Sequence, residues 1–353
     1  MTTFVDLFSG AGGLSLGLKN AGWKPVLSLD HWDDAIATYR HNFNDHPCIN
    51  ADVASVSEAD FALYLSHCDW VVGGPPCQGF STVGRRKRDD PRNRLVFEFA
   101  RTVDILRPEN FLIENVIGLK DMKFVGAVES YFAERGYKVS TMVLRSADYG
   151  VPQLRHRIFF VGSLAGASFD APQASHGPGT YVTVEDAIGD LPVLGPGEAA
   201  DRYDRPAKAG YQKRMRRGCS TLSGHEASKH PAHLVQAISH IPDGGNRRDI
   251  PASLQPKSGF HNSYSRLHSR SPAVAVTQNM GKPSGTRCIH PFQHRGLTAR
   301  EGARLQGFPD AFEFLGGMTS QRLQVANAVS PILAEAIGRH LAKSSSDIQI
   351  AAK

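Results

Sequence analysis

The chain has 353 residues, enough for one or two domains around a substantial core. With 41% hydrophobic and 21% charged residues it has an ordinary globular composition, which excludes a fibrous or disordered chain. A net charge of +6 and a pI near 9.1 suit a polyanionic partner, and five scattered cysteines without a C-x-x-C pair argue against a disulfide framework or a cysteine-rich zinc site.

The first half alternates short apolar runs with amphipathic stretches. Runs at 4–8, 25–29, 48–53, 70–72, 111–113, 139–144 and 158–161 read as buried strands. Between them, 14–21, 33–42, 57–67, 95–106 and 125–136 carry helical spacing. Such alternation predicts an α/β fold with a doubly wound, mostly parallel sheet. From about 171 to 270 the periodicity weakens while Pro, Gly, His, Ser and Arg become frequent, which predicts a smaller second domain. Helical texture returns at 298–306 and 331–341, and 346–353 reads as a frayed tail. The N-terminus enters a strand at once, without a signal peptide, and no apolar stretch is long enough to cross a membrane. A cytoplasmic location in a reducing compartment is expected.

Chemistry-bearing residues gather at the ends of these strands. Phe8-Ser9-Gly10-Ala11-Gly12-Gly13 lies between a strand and a helix, where glycines let backbone approach a nucleotide-like ligand. The dinucleotide fingerprint fails at its third glycine position, Ser15. Asp30 and Asp52 end the second and third strands and could accept hydrogen bonds from ribose hydroxyls, or simply cap turns. Cys77 follows Gly73-Gly74-Pro75-Pro76 directly after a strand, a presentation that suits a nucleophile as well as packing. Glu114 ends another strand and reads either as an acid or as a cap. Strand alternation puts Gln153, Arg155 and Arg157 on one face, as three polar donors aimed at one site or as a salt-bridged strand start. The stretch 85–94 carries six positive charges against two negative and suits a phosphate backbone. Basic residues also cluster at 213–217 and at Arg247-Arg248, either as a solvated face or as a phosphate-contacting one. No metal-binding constellation is evident.

Six of these segments, in order, resemble the motifs of DNA (cytosine-5)-methyltransferases of the single-chain bacterial type. They are Phe-Ser-Gly-Ala-Gly-Gly at 8–13, Gly-Pro-Pro-Cys-Gln-Gly-Phe-Ser at 74–81, Glu-Asn-Val at 114–116, Gln-Leu-Arg-His-Arg at 153–157, Arg-Leu-Gln-Gly-Phe-Pro-Asp at 304–310 and Ala-Asn-Ala-Val-Ser at 326–330. The last departs from the family pattern, which usually has Gly at Ala326 and often Pro at Ser330.

The resemblance implies an S-adenosylmethionine-dependent methyltransferase fold. It places a catalytic domain at 1–192 plus 318–345 and a target-recognition domain at 193–317, variable over about 193–270. It implies S-adenosyl-L-methionine as methyl donor, with S-adenosyl-L-homocysteine as product. Phe8, Gly10, Gly12, Asp30, Asp52, Val53, Pro76, Leu95, Asn327 and Val329 would surround the cofactor, with His31 or Trp32 over the adenine. Cys77 would add to carbon 6 of a flipped-out cytosine and make carbon 5 nucleophilic; Glu114 would neutralise the ring at nitrogen 3 and Arg157 would hold the carbonyl oxygen. Arg155 would order the Cys77 loop or a phosphate. Gln78, Ser81, Arg85, Arg86, Arg88, Arg214, Arg216, Arg217, Arg247 and Arg248 are the candidate contacts to double-stranded DNA. A monomer is expected, with a separate restriction endonuclease as a conceivable partner. The competing readings are a tRNA cytosine-5 methyltransferase and a non-catalytic DNA-binding homologue.

Overall fold

The computed structural model describes residues 1–64, 68–76, 94–116, 122–256, 263–285 and 287–351. The chain folds into two compact units. The first comprises 1–145, 156–174 and 333–353; the second comprises 146–155 and 175–332. Residues 146–155, 175–192 and 318–332, given to the catalytic domain from the sequence, therefore pack within the second unit.

The strands of the first unit are β1 (Thr3–Leu7), β2 (Lys24–Asp30), β3 (Cys48–Asn50), β4 (Trp70–Gly73), β5 (Asn110–Val116) and β6 (Lys138–Arg145). A short β7 (Gln153–Leu154) belongs to the second unit, and β8 (His156–Ser163) returns to the first. The first unit's seven strands form one sheet in the order β3-β2-β1-β4-β5-β8-β6. The five strands from β3 to β5 pair in parallel, and β8 pairs antiparallel with both β5 and β6. All seven strands expected from the apolar runs are present. The parallel strands β1, β4 and β5 are almost wholly buried, as strands covered on both faces must be, while the end strand β3 is more open.

Helices α1 (Gly13–Asn20), α2 (Asp33–Asn42), α3 (Glu58–Tyr64), α4 (Arg94–Leu106) and α5 (Met122–Ala133) connect these strands. A core of Phe99, Val103, Phe111, Phe132 and Tyr137 packs on the sheet, each such side chain contributing roughly 1.5–3 kcal/mol on burial. Gly162 is required beneath it, since a Cβ there would lie 1.9 Å from the Phe111 ring.

The second unit is built differently. Short helices α6 (Val184–Ile188), α7 (Gly210–Met215), α8 (Ala232–Ser239), α9 (Ala299–Gln306) and α10 (Met318–Asn327) are joined by long turns, and β7 pairs with β9 (Ala273–Val274). Its apolar cluster around Ile238, Ile241 and Ile289 is small. Buried arginines do much of the organising instead. Arg295 grips Glu301 through both guanidinium nitrogens at 2.7 and 2.9 Å, and Arg304 grips Asp310 at 2.6 Å twice. Arg266 donates to the carbonyls of Ile238, Ile241, His290 and Gln293, tying α8 to the segment before α9. Polar clamps leave no hydrophobic periodicity, which is why the sequence pattern fades across this region.

Helix α11 (Pro331–Ala351) closes the chain. Its Gly338 carbonyl accepts the Trp23 indole N–H at 3.1 Å, which ties the end of the chain to the α1–β2 turn.

Candidate active site

Because β1, β2, β4 and β5 run parallel, their carboxyl ends share one edge of the sheet, where ligands bind in open α/β folds. The loop after β1 is folded back on that edge. Ser9 N–H donates to the carbonyl of Leu29 and Gly12 N–H to that of Ser9. Phe8, Gly10 and Gly12 all have positive φ, at 58°, 54° and 96°. For Phe8 this is a strained conformation of the kind that gathers at functional sites. At Gly12 a Cβ would lie 2.5 Å from the Phe43 ring, whereas among the described residues nothing lies within 4 Å of a Cβ at Gly10, which leaves backbone there for a ligand.

Asp30 ends β2, and its two oxygens accept from the amides of Gly10 at 2.8 Å and Trp32 at 2.9 Å. Held this way, the carboxylate keeps lone pairs for ribose hydroxyls. The His31 side chain is 69% exposed and stands 3.9 Å from Asp30, whereas Trp32 is half-buried. Asp52 does not end a strand, because β3 stops at Asn50; it caps the following turn by accepting from Ala54 N–H at 3.0 Å. Val53 belongs to the core at 2% exposure, while Pro76 and Leu95 are half-buried. Asn327 is exposed at the end of α10 and Val329 is buried, both in the second unit.

Two strands along from β1, Glu114 on β5 and Arg157 on β8 meet. The register pairs Val116 with Arg157, so Glu114 lies diagonally across on the same face, and Arg157 Nε stands 2.6 Å from Glu114 Oε1. Both side chains are largely buried, and a Cβ on Gly74 would lie 3.2 Å from Glu114 Oε2. The carboxylate therefore rests against the segment that leads to Cys77 in the chain. Asn115 fastens that segment by donating to the Pro75 carbonyl at 3.0 Å. Cys77, Gln78, Ser81, Arg85, Arg86 and Arg88 lie outside the described residues.

The structure corrects several readings. Gln153, Arg155 and Arg157 do not converge, because the strand breaks at Arg155 between β7 and β8. Gln153 is buried on Leu305 O, Gln306 and Val276 N–H, and Arg155 donates to the carbonyls of Val276 at 3.2 Å and Ala326 at 2.6 Å. Arg155 is a backbone clamp. Arg216 is similarly occupied: it pairs with Asp190 at 2.6 Å and stacks on Tyr203. Arg247 bonds Gln255 and the Pro256 carbonyl. Arg214, Arg217 and Arg248 are exposed.

One group escaped the sequence reading. Asp6, in the middle of β1, is buried and bonded by Ser15 Oγ at 2.6 Å. Its only signal was a lone acid inside an apolar strand.

The C-5 cytosine-specific DNA methylase family model matches residues 2–343. The chain belongs to this family. Among its relatives, Type II methyltransferase M1.HphI of Haemophilus parahaemolyticus is 41% identical, covering 98% of this chain and 88% of the relative. Type II methyltransferase M.DdeI of Desulfomicrobium norvegicum is 35% identical over 96% and 88%. A solved E. coli prophage-encoded protein, described as a DNA modification methyltransferase, is similar at a TM-score of 0.79 and 27% identity, covering 98% of this chain and 100% of the other.

As a C-5 cytosine-specific DNA methylase, the protein transfers a methyl group to carbon 5 of cytosine in DNA, with S-adenosylmethionine as donor. The residues fit that donor. An open glycine backbone at Gly10 and a fixed acid at Asp30 stand at the carboxyl ends of β1 and β2, and beneath them a buried Asp6 oxygen has no hydrogen-bond partner among the described residues. The Glu114–Arg157 pair stands on β5 and β8 of the same sheet, beyond β4. The tRNA reading gains no support from the family match. Among the described residues no helix is long and apolar enough to cross a membrane.

Proposed function

We propose that Cys77 is the nucleophile of this transfer and that Glu114 and Arg157 act on the cytosine ring. The observation that carries this is the Glu114–Arg157 pair, 2.6 Å apart and resting against Gly74, three residues before Cys77. Cys77 adds to carbon 6 of the flipped base, which breaks the ring's aromaticity and makes carbon 5 enamine-like. A free thiol, with a pKa of about 8.5, is only a few per cent thiolate at pH 7, so the site raises that fraction or takes the proton. Glu114 neutralises developing charge at nitrogen 3 and the exocyclic amine, and Arg157 holds both Glu114 and the carbonyl oxygen at position 2. When bound, the cofactor supplies the methyl group that carbon 5 takes. A base then takes the carbon-5 proton, the 5,6 double bond re-forms, and the carbon 6–sulfur bond breaks to return the Cys77 thiolate. Arg155 acts indirectly, as a positioning residue, through the carbonyls it clamps.

Phe8, Gly10, Gly12, Asp30, Leu95 and Pro76 hold the cofactor, with Trp32 the better placed aromatic for the adenine because it is the less exposed neighbour of Asp30. Asp52 and Val53 complete that shell within the first unit. Arg214, Arg217 and Arg248, with Gln78, Ser81, Arg85, Arg86 and Arg88, serve DNA, and 193–270 reads the target sequence. The Type II names of the relatives support a restriction-modification role, with the enzyme acting as a monomer in the bacterial cytoplasm beside a separate endonuclease.

The test is covalent trapping on duplex DNA containing 5-fluorocytosine, which cannot lose its carbon-5 substituent as a proton. The wild-type enzyme forms a stable adduct in the presence of the cofactor, and Cys77→Ala forms none. An adduct in the variant, or transfer to tRNA instead of duplex DNA, refutes the reading.

A further inference from the structure

Beneath the cofactor loop a chain of hydrogen bonds runs from a buried acid to the surface. Ser15 Oγ bonds Asp6 Oδ2 at 2.6 Å, and Tyr39 Oη bonds Ser15 Oγ at 2.8 Å. Tyr39 Oη also lies 2.9 Å from His46 Nε2, and His46 Nδ1 lies 3.0 Å from Asp45 Oδ1. Ser28 Oγ braces the middle, 2.6 Å from Tyr39 Oη and 3.2 Å from His46 Nε2. Asp45, paired with Lys19 at 2.6 Å, is the exposed end. The inner end is closed, for Asp6 is 1% exposed and its Oδ1 has no hydrogen-bond partner among the described residues.

The chain also touches the loop itself. The Tyr39 ring would be 2.9 Å from a Cβ on Gly12, and Ser15 belongs to α1, which the loop opens. We propose that Asp6, Ser15, Tyr39 and His46 form a proton relay that makes the cofactor site prefer the positively charged sulfonium donor over its neutral thioether product. The proposal rests on the cofactor lying at the loop after β1.

The charge logic follows from the surroundings. Burial, with Asp30 nearby on β2 adding to it and Ser15 opposing it, pushes the Asp6 carboxyl up to about 7. Tyr39 on α2 and Cys48 on β3 are the other titratable neighbours, and burial pushes both of them up, Cys48 to about 12, so they remain neutral. From β4 the register places the uncharged Val72 beside Asp6. A cation arriving at the loop favours the ionised carboxylate, while a neutral ligand does not.

The proton balance is closed. With Asp6 neutral, its Oδ2–H donates to Ser15, Ser15 to Tyr39, and Tyr39 to His46 Nε2. On ionisation each proton moves one place outward. Ser15 then donates to Asp6 and Tyr39 to Ser15, and His46 becomes an imidazolium that releases a proton past Asp45 to solvent. Burial pushes His46 down, so that form does not persist. Loss of the sulfonium charge in the reaction draws the proton back.

Calorimetric titration of the full chain with S-adenosylmethionine and with S-adenosylhomocysteine, from pH 5.5 to 9 in two buffers of different ionisation enthalpy, tests this. Wild-type donor affinity rises by up to about tenfold per pH unit below about pH 7 and then levels, with up to about one proton released, while product affinity stays flat. Asp6→Asn removes the pH dependence and the donor preference but keeps product affinity, which also shows that the loop is folded. Tyr39→Phe, the milder change, withdraws support from Ser15 and moves the midpoint to higher pH. A flat wild-type donor profile, or a wild-type profile in Asp6→Asn, overturns the relay. Asp30→Ala separates the two layers: weaker binding of both ligands at every pH supports the cofactor's placement, and unchanged binding refutes that placement.

Discussion

Replacing Glu114 by Gln separates chemistry from structure at the proposed catalytic pair. The two charges stand about 4 Å apart centre to centre, which at an effective dielectric near 20 is worth roughly 4 kcal/mol of attraction. Not all of this is lost. A glutamine keeps the polar contact with Arg157, and Arg157 keeps its bond to the His156 carbonyl at 2.8 Å. The expected net destabilisation is therefore about 1–2 kcal/mol, read as a shifted urea midpoint with an unchanged slope. The catalytic loss is larger, because the amide cannot give a proton to the ring. A fall in kcat of about 10²- to 10⁴-fold on duplex DNA is expected. Cofactor affinity stays unchanged, since Gly10 and Asp30 are untouched. A double-mutant cycle with Arg157→Gln measures the coupling between the two side chains. A folded Glu114→Gln enzyme within tenfold of wild-type kcat would refute the assignment of Glu114 to the chemistry. Loss of folding would instead make the pair a structural clamp.

Two further outcomes follow from the arginines of the second unit. Arg304→Met leaves Asp310 and Asp190 without their shared cation in a buried site, and a loss of about 3–5 kcal/mol in chemical denaturation is expected; a loss below about 1 kcal/mol contradicts the clamp. Arg216 and Arg217 are neighbours with opposite fates. Arg217→Ala weakens DNA binding and lowers its salt slope by about 1 with no change in melting temperature, whereas Arg216→Ala lowers the melting temperature first. Equal behaviour of the two in salt titration refutes the distinction.

The legible part of the fold was the part that hydrophobic spacing controls. The parallel strands are continuous apolar runs because both faces are covered, and each ended within a few residues of where the pattern stopped. Glycines at positive φ after β1 and the acid that ends β2 were legible for the same local reason. The reading failed where side chains look across the chain. Alternation placed Arg155 with Arg157, but a break in the strand sends Arg155 to the carbonyls of Val276 and Ala326, over a hundred positions away in sequence. Arg216 and Arg217 are indistinguishable as letters.

The sequence by itself determined the class of the sheet, the loop after β1 and the ordered motifs that mark the family, since these depend on periodicity and on residue types at fixed spacing. Only the tertiary structure decided that Glu114 meets Arg157, that Arg217 and Arg248 are exposed while Arg216 and Arg247 are occupied, and that Asp6 joins His46 through Ser15 and Tyr39. Such pairings are set by strand register and by which groups burial forces to find partners. Neither is written in any local stretch of the chain.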